Sequence, residues 1–552
     1  MTLYWRIGGD VLERQERQGW GEGHRSAGAG PEGCVSRHAE ILPAQPERRM
    51  GSAASVVIVG TSIAPAPAFF SSTPTKNIIS RQAACPQNVS IPTRPTARTS
   101  QRAARQKLKE TAVAVETTSI DTLVVGAGQA GVAMSEHLGK LGVPHLVLER
   151  SRIAERWRTG RWDSLVANGP AWHDRFPGLE FDGLDPDAFA SKDQVADYFE
   201  AYARKFNAPI RTGVDVTNVV RNTGKPGFVV ETSDGTIEAN RVVVATGPFQ
   251  RPVVPPIAPD DARLVQIHSA DYRNPGQLPD GAVLVVGAGS SGVQIADELQ
   301  RAGRQVYLSV GPHDRPPRAY RGRDFCWWLG VLGEWDKEIA TPGREHVTIA
   351  VSGARGGHTV DFRALANQGV TLVGLTKSFD GGVAVFERDL AVNLARGDEN
   401  YLSLLDAADA YAARNGLDLP EEPEARRILP NPDCVAHPIL ALDLAGAGVT
   451  SIVWATGYAV DYGWLNVDAF APNGKPQHQR GVSKEPGIYF LGLPWLSRRG
   501  SSFIWGVWHD AKHIADHIVT QRKYLAYHDA SQRRVAAQQA PADARPLAEA
   551  TN

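Results

Sequence analysis

The chain has few cysteines, no excess of charge of either sign and no long apolar run, and each shortage closes a class of function. Its 552 residues include four cysteines, Cys34, Cys85, Cys326 and Cys434, with no C-x-x-C pair. That spacing argues against a disulfide framework, a zinc site and a redox dithiol alike, and a reducing compartment suits it. Fifty-nine Lys and Arg stand against 60 Asp and Glu, so the overall balance calls for neither nucleic acid nor an anionic membrane. A bilayer span takes about 18 consecutive apolar residues. The densest patch, Phe325-Cys326-Trp327-Trp328-Leu329, is far shorter. Paired carboxylates, a metal-spaced histidine cluster and a nucleophile elbow are also missing. What remains is the composition of a soluble globular protein that can bury a large core.

Acidic residues are missing locally as well. Between Arg48 and Lys109 there is no Asp or Glu, while Arg49, Lys76, Arg81, Arg94 and Arg98 are among the basic residues of that Ser/Thr-rich stretch, which begins beside Met50. Such a composition is that of an organelle transit peptide, or of a disordered arm with no address. Residues 1–118 are therefore expected to be an N-terminal extension, and the compartment to be the cytoplasm or, with a transit peptide, a plastid or mitochondrion. Residues 525–552, mainly Ala, Gln, Arg and Pro, read as a second tail.

Between the tails stands a β-α-β pattern. The apolar run Asp121–Val125 leads into Gly126-Ala127-Gly128-Gln129-Ala130-Gly131, an amphipathic helix follows, and Val143–Leu148 is a second strand closing with Glu149-Arg150. In such a loop the first glycine makes the tight turn, the second lets backbone approach a pyrophosphate, and the third lets helix pack on strand. The helix N-terminus, with Gln129 and Ala130, then faces the phosphates. Glu149, 18 residues beyond Gly131, is placed to accept from a ribose diol, with Arg150 beside it.

The same grammar returns at Ala282–Val286, followed by Gly287-Ala288-Gly289-Ser290-Ser291-Gly292 and a second amphipathic helix. Here the second strand ends at Ser309, and Val310 stands in the place of the carboxylate, followed by His313, Arg315 and Arg318. A missing carboxylate removes the repulsion of a 2′-phosphate, and guanidinium groups pair with phosphate bidentately. This cradle reads as one for NADPH; the alternative is that the arginines form a solvated loop. Two such sites suggest electron transfer between bound FAD and NADPH, so function turns on what the reduced flavin meets. A disulfide reductase would need a dithiol that the sequence lacks. Dioxygen is the next candidate.

Further motifs bear on that candidate. Ala245-Thr246-Gly247 runs on to Pro252 and Pro255; Trp454-Ala455-Thr456-Gly457-Tyr458 is a second ATG turn; His268 is followed at Tyr272 by a tyrosine; and Trp157, Trp162, Ser164 and Asn168 share one loop. With the glycines, these resemble the flavin-containing monooxygenases, most closely their bacterial and YUCCA-like members, from about Thr122 to Ile518. The resemblance implies that the two ATG turns link flavin and nicotinamide domains, and that Trp157 and Asn168 lie on the loop contacting the isoalloxazine. Asn168 would then help to hold the flavin's oxygen adduct, a C4a-hydroperoxide, behind aromatic walls from Trp157, Trp162 and Trp172. Those tryptophans read equally as core. His268 to Tyr272 resembles the second half of the fingerprint F-x-G-x-x-x-H-x-x-x-Y, whose first half is replaced by Ala262 and Leu264. His268 is accordingly either an acid-base residue or a hinge residue bonded to backbone. Glu155 and Arg156 replace the family's glycines before the flavin tryptophan, and Tyr272-Arg273 replaces the Trp-Pro of a Baeyer-Villiger enzyme.

The expected architecture is α/β, with two doubly wound Rossmann-like dinucleotide-binding domains, the NADPH domain inserted into the FAD domain. Residues 119–255 begin the FAD domain, 256–446 form the NADPH domain, and 447–524, with strands at Ile452–Trp454 and Ile488–Leu491, return to the FAD domain. Residues 209–244 read as an inserted β-meander with a hairpin at Asp234-Gly235. The expected reaction is NADPH-dependent transfer of one oxygen atom from O2 to a small organic substrate, indole-3-pyruvate or a soft nitrogen or sulfur nucleophile. An NADPH oxidase releasing peroxide and a nonenzymatic sensor of the NADPH/NADP⁺ ratio stay open beside it.

Overall fold

Short aliphatic strands build the parallel centres of two sheets, as buried parallel strands require. The computed structural model describes residues 118–338 and 348–539; most of the expected N-terminal extension lies outside them. The first sheet holds β1 (Thr118–Val125), β2 (His145–Glu149) and β3 (Ile210–Thr212), with β1 also pairing in parallel with β6 (Gly235–Val244). Leu123, Val124 and Val147 are fully buried in it. The sheet continues antiparallel through β5 (Phe228–Thr232) to β4 (Val216–Arg221), the expected meander, turning between Thr232 and Gly235. The outer half of β6 makes that hairpin, while its inner half, Val242–Val244, pairs in parallel with Ile488–Phe490. One strand thus serves both the nucleotide sheet and its insertion.

The second sheet is parallel throughout, in the order Val370–Val373, β9 (Val306–Ser309), β8 (Ala282–Val286), Val449–Trp454 and β7 (Val265–His268). This corrects the expected return point. Val449–Trp454 lies between β8 and β7, with Ile452, Val453 and Trp454 fully buried, so the inserted domain runs through the second ATG turn. An apolar run of that length is a central strand wherever the topology puts it, and periodicity cannot choose the sheet. Ile488–Phe490 does return to the first sheet.

Helix α1 (Gln129–Lys140) packs Val132, Ala133, Met134 and Leu138 on the first sheet. Helix α2 (Lys192–Lys205) opens with a capping box of Ser191 and Gln194 and buries Phe199 and Tyr202 in the same core. Helix α3 (Ser290–Arg301) repeats the role of α1 on the second sheet, and α4 (Leu390–Arg414) runs beyond it. Helix α5 (Ile504–Gln539) lies along α1, burying Val507, Ala511, Ile514 and Ile518. Residues 525–539, expected to be tail, continue this helix. No helix among the described residues is long and apolar enough to cross a membrane.

Candidate active site

The loop between β1 and α1 has the form its glycines demand. Gly126 takes φ +103°, and a Cβ there would stand 2.8 Å from the Ala245 carbonyl oxygen; a Cβ on Gly131 would run into the Gly126 carbonyl. At Gly128, the N-cap of α1, a Cβ would meet no protein atom within 4 Å, and no side chain caps the helix. The bare N-terminus opens on a cavity of about 670 Å³ whose lining includes Gly126, Gly128, Gln129 and Ala130. Glu149, Arg150, Trp157, Thr246 and Gly247 line it as well. Glu149 is held by the amides of Ala127 and Ser151, each at 2.9 Å, one to each carboxylate oxygen. Every sequence-expected residue of this cradle except Gly131 faces one space, and Gly131 packs helix on strand behind it. Uncapped amides, an open glycine and an oriented carboxylate fit an adenine dinucleotide. Arg161, which sequence reasoning missed, also lines the cavity, its guanidinium 5.8 Å from the Trp157 ring and 5.0 Å from Phe249. Arg156, standing where a family glycine was expected, donates to the carbonyls of Phe249 and Gln250 at 2.6 and 2.8 Å.

The second cradle repeats the construction. Gly287 has φ +110°, and its Cβ would stand 2.5 Å from the Ala455 carbonyl oxygen. Each cradle is therefore closed by its own ATG turn, the first by Ala245 and the second by Ala455. The turns also tie the domains together: the Thr456 hydroxyl donates to the Val253 carbonyl at 2.5 Å, Gln250 donates to the Thr246 hydroxyl at 2.9 Å, and Arg251–Pro252 pairs antiparallel with Tyr458–Ala459. His268 belongs to this joint. Its Nδ1 accepts from the Ala270 amide at 3.1 Å, so Nε2 carries the proton and donates to the Gly457 carbonyl at 2.9 Å. Both ring nitrogens are spent on backbone, the ring is 3% exposed, and burial lowers its pKa. The structure corrects the acid-base expectation for His268 in favour of a hinge strap.

At the phosphate-facing end of this cradle the chain covers itself. The Ser290 hydroxyl donates to the Ile349 carbonyl at 2.9 Å, and a Cβ on Gly289 would meet the Thr348 methyl at 3.1 Å. Thr348 and Ala350 are bridged to Asp314 by two backbone bonds of 2.8 Å. Ser291 follows in the first turn of α3, and Gly292 packs against Gly287.

The arginines expected at a 2′-phosphate are committed elsewhere. Arg315, 3% exposed, donates to Asp398 at 2.6 Å and lies over the Tyr401 ring at 4.6 Å. Arg318, 5% exposed, chelates both oxygens of Asp324 at 2.6 and 2.7 Å. A guanidinium so paired has no fork to offer a phosphate. Ser309 is likewise turned inward, donating to the Gly374 carbonyl and accepting from Thr376. Asn168 stands between domains: its Oδ1 accepts from Gln294 of α3 at 3.0 Å, and its backbone carbonyl from Arg318 at 2.6 Å. The three tryptophans do not make one wall. Trp157 lines the first cavity, Trp162 lines a separate one of about 380 Å³, and Trp172 packs by Trp335 and Phe503. No group of three or more His, Cys, Asp or Glu among the described residues could hold a metal.

Residues 123–319 match the family model described as pyridine nucleotide-disulphide oxidoreductase. An uncharacterized CzcO-like oxidoreductase of Geobacillus kaustophilus is 34% identical over 405 residues, 72% of this chain and 98% of that protein. A flavin-containing monooxygenase from Stenotrophomonas maltophilia superposes with a TM-score of 0.52 at 18% identity, over 73% of this chain and 99% of its own. The chain belongs to the flavin-containing monooxygenase family. A narrower match joins it to the probable indole-3-pyruvate monooxygenase YUCCA1 of Arabidopsis thaliana, 33% identical over 193 residues, 34% of this chain and 46% of that one. This flavin oxidoreductase is accordingly an enzyme whose cofactors are FAD and a pyridine nucleotide.

Proposed function

We propose that the enzyme is an NADPH-dependent FAD monooxygenase: NADPH, a proton, O2 and a small organic substrate become NADP⁺, water and a substrate carrying one added oxygen atom. Bound FAD supplies the redox and oxygen chemistry. The chain's own residues bind it, exclude water and fix the groups around it. Glu149 and the α1 amides hold the adenosine and pyrophosphate end, and Trp157 and Arg161 close the far side of the cavity. His268, with both ring nitrogens bonded to backbone, transfers no proton in this scheme.

The observation that favours dioxygen over a disulfide as electron acceptor is the placing of the thiols. Among the described residues the cysteines are Cys326 and Cys434; neither lines the flavin cavity, and burial pushes both thiols up, Cys326 well above its usual value. Such thiols are poor nucleophiles. The preference for NADPH over NADH rests on Val310, which is fully buried where a ribose-binding carboxylate would repel a 2′-phosphate.

Indole-3-pyruvate is the substrate to try first, since that is the substrate in the names of the plant relatives; soft amines and sulfides come next. The test follows NADPH loss, peroxide and oxygenated product together in FAD-loaded protein. Product matching NADPH consumption, with little peroxide, is the expected result. Stoichiometric peroxide with every substrate would leave an NADPH oxidase instead.

A further inference from the structure

The cavity of about 380 Å³ lies where loop 162–166 of the flavin domain meets α3 and residues 352–368 of the inserted domain. No glycine of either cradle lines it, and it shares no residue with the flavin cavity. Trp162, Val293 and Leu365 give it apolar lining, while Asp297, Glu298 and Arg301 of α3, with Arg355 and Asp361, give it charge. Arg355 stands in the left-handed region, with φ +54° and ψ +43°, a conformation that costs a residue with a side chain. The loop around it is pinned: an antiparallel bridge joins Ser352 to His358, and a Cβ on Gly357 would stand 2.8 Å from the Phe189 ring. That turn sets the Arg355 guanidinium on Asp297 at 2.6 Å.

The charged groups are unequally engaged. Both oxygens of Asp297 accept from Arg301 Nε, at 3.1 and 3.2 Å, and one of them also from Arg355. Glu298 accepts from the Ser164 hydroxyl at 2.6 Å with one oxygen and from the Tyr272 hydroxyl at 2.8 Å with the other. Asp361 caps helix Phe362–Asn367 with one oxygen and meets Arg315 at 3.7 Å with the other. The arginines keep donors to offer. Among the described residues Arg301 donates only through Nε, which leaves both its terminal amino groups, and Arg355 has its Nε left. Their side chains are 49% and 42% exposed, so those donors can be reached.

We propose that this cavity is an accessory binding site for a small organic carboxylate with an apolar body, its anionic end taken by Arg301 and Arg355. Guanidinium forks match a carboxylate in geometry as well as in charge. Joints between domains are a usual setting for a small-molecule site of this size. A cationic ligand would find every carboxylate oxygen already facing a donor. The site stands whether or not oxygen transfer is the reaction, since it uses no residue that the flavin cavity uses.

Calorimetric titration of the FAD-loaded full chain with phenylacetate, and with uncharged phenylacetamide as the control, tests this. One phenylacetate should bind per chain, and the amide about tenfold more weakly or worse. Arg301→Gln lies at a half-exposed position, and Arg355→Asn suits the left-handed turn. Each should weaken phenylacetate by about tenfold, as the loss of a charge-assisted hydrogen bond does. Ala364→Phe, which fills the cavity from helix Phe362–Asn367, should abolish binding while the flavin spectrum stays as in wild type. No binding at millimolar phenylacetate, equal affinity for acid and amide, or binding that survives all three substitutions would overturn the proposal. Binding seen only after FAD is stripped, or lost on adding NADP⁺ while indifferent to Ala364→Phe, would overturn it too, by placing the acid in one of the nucleotide cradles.

Discussion

The Ser290 hydroxyl donates to the Ile349 carbonyl oxygen at 2.9 Å, across the ground where the second cradle would receive a pyrophosphate. A carbonyl oxygen on a helix N-terminus imitates, weakly, the anion such a site attracts. Binding of NADP⁺ at Gly287–Gly292 therefore has to displace Thr348–Val351. Amide exchange at Asp314 and Ala350, whose backbone bonds hold that segment, should speed up when the FAD-loaded enzyme is saturated with NADP⁺. Unchanged exchange with the nucleotide bound would mean that it sits elsewhere.

At the first cradle the glycine to test is Gly128. A Cβ there would meet no protein atom within 4 Å, and φ is −77°. Gly128→Ala should therefore leave the fold within about 0.5 kcal/mol, as for substitutions that touch nothing, yet crowd the pyrophosphate. The variant is expected to purify colourless and to melt like flavin-stripped wild type. A yellow variant of normal flavin content would remove the first cradle as the FAD site.

How much of this could be read in advance follows the range of each interaction. The glycine loops, their strands, Glu149 and the meander are local patterns, and each lies where its period and turn residues put it. Residues 525–539 were misread because Ala, Gln and Arg serve a tail and a helix equally well, and these residues are in fact good helix formers. Arg315 was misread for a different reason. Its carboxylate partner, Asp398, is 83 residues away on α4, and a basic cluster gives no sign of which acids the fold will bring to it. The placing of Val449–Trp454 and the pairing of Gln294 with Asn168 are equally properties of topology.

Arg315 now carries a prediction opposite to the one its position in the sequence suggests. It is buried against Asp398, which Arg363 also engages at 2.8 Å. Removing Arg315 leaves Asp398 with Arg363 as its remaining cationic partner and loses charge-assisted hydrogen bonds, at a cost of about 1.5–3 kcal/mol. Arg315→Ala should lower the denaturant midpoint substantially while leaving the ratio of apparent KM for NADPH and NADH near the wild-type value. A stable variant with a selective rise for NADPH would restore Arg315 to the 2′-phosphate.

His268 joins β7 to the turn at Gly457 only while its ring is neutral, since Nδ1 must accept from the Ala270 amide. Burial lowers its folded-state pKa below the ordinary 6.5, so the unfolded chain binds a proton more readily than the folded one. The stability this provides is present above about pH 6.5 and is lost as pH falls through the folded value. His268→Gln, which keeps a donor but cannot be protonated, should be less stable than wild type at pH 8 and lose less on acidification toward pH 5. It should leave the pH dependence of the oxygen-transfer step unchanged once FAD is bound, because the ring has no nitrogen left for a substrate. A limb in the pH profile of turnover that disappears with His268→Gln would return the residue to acid-base chemistry.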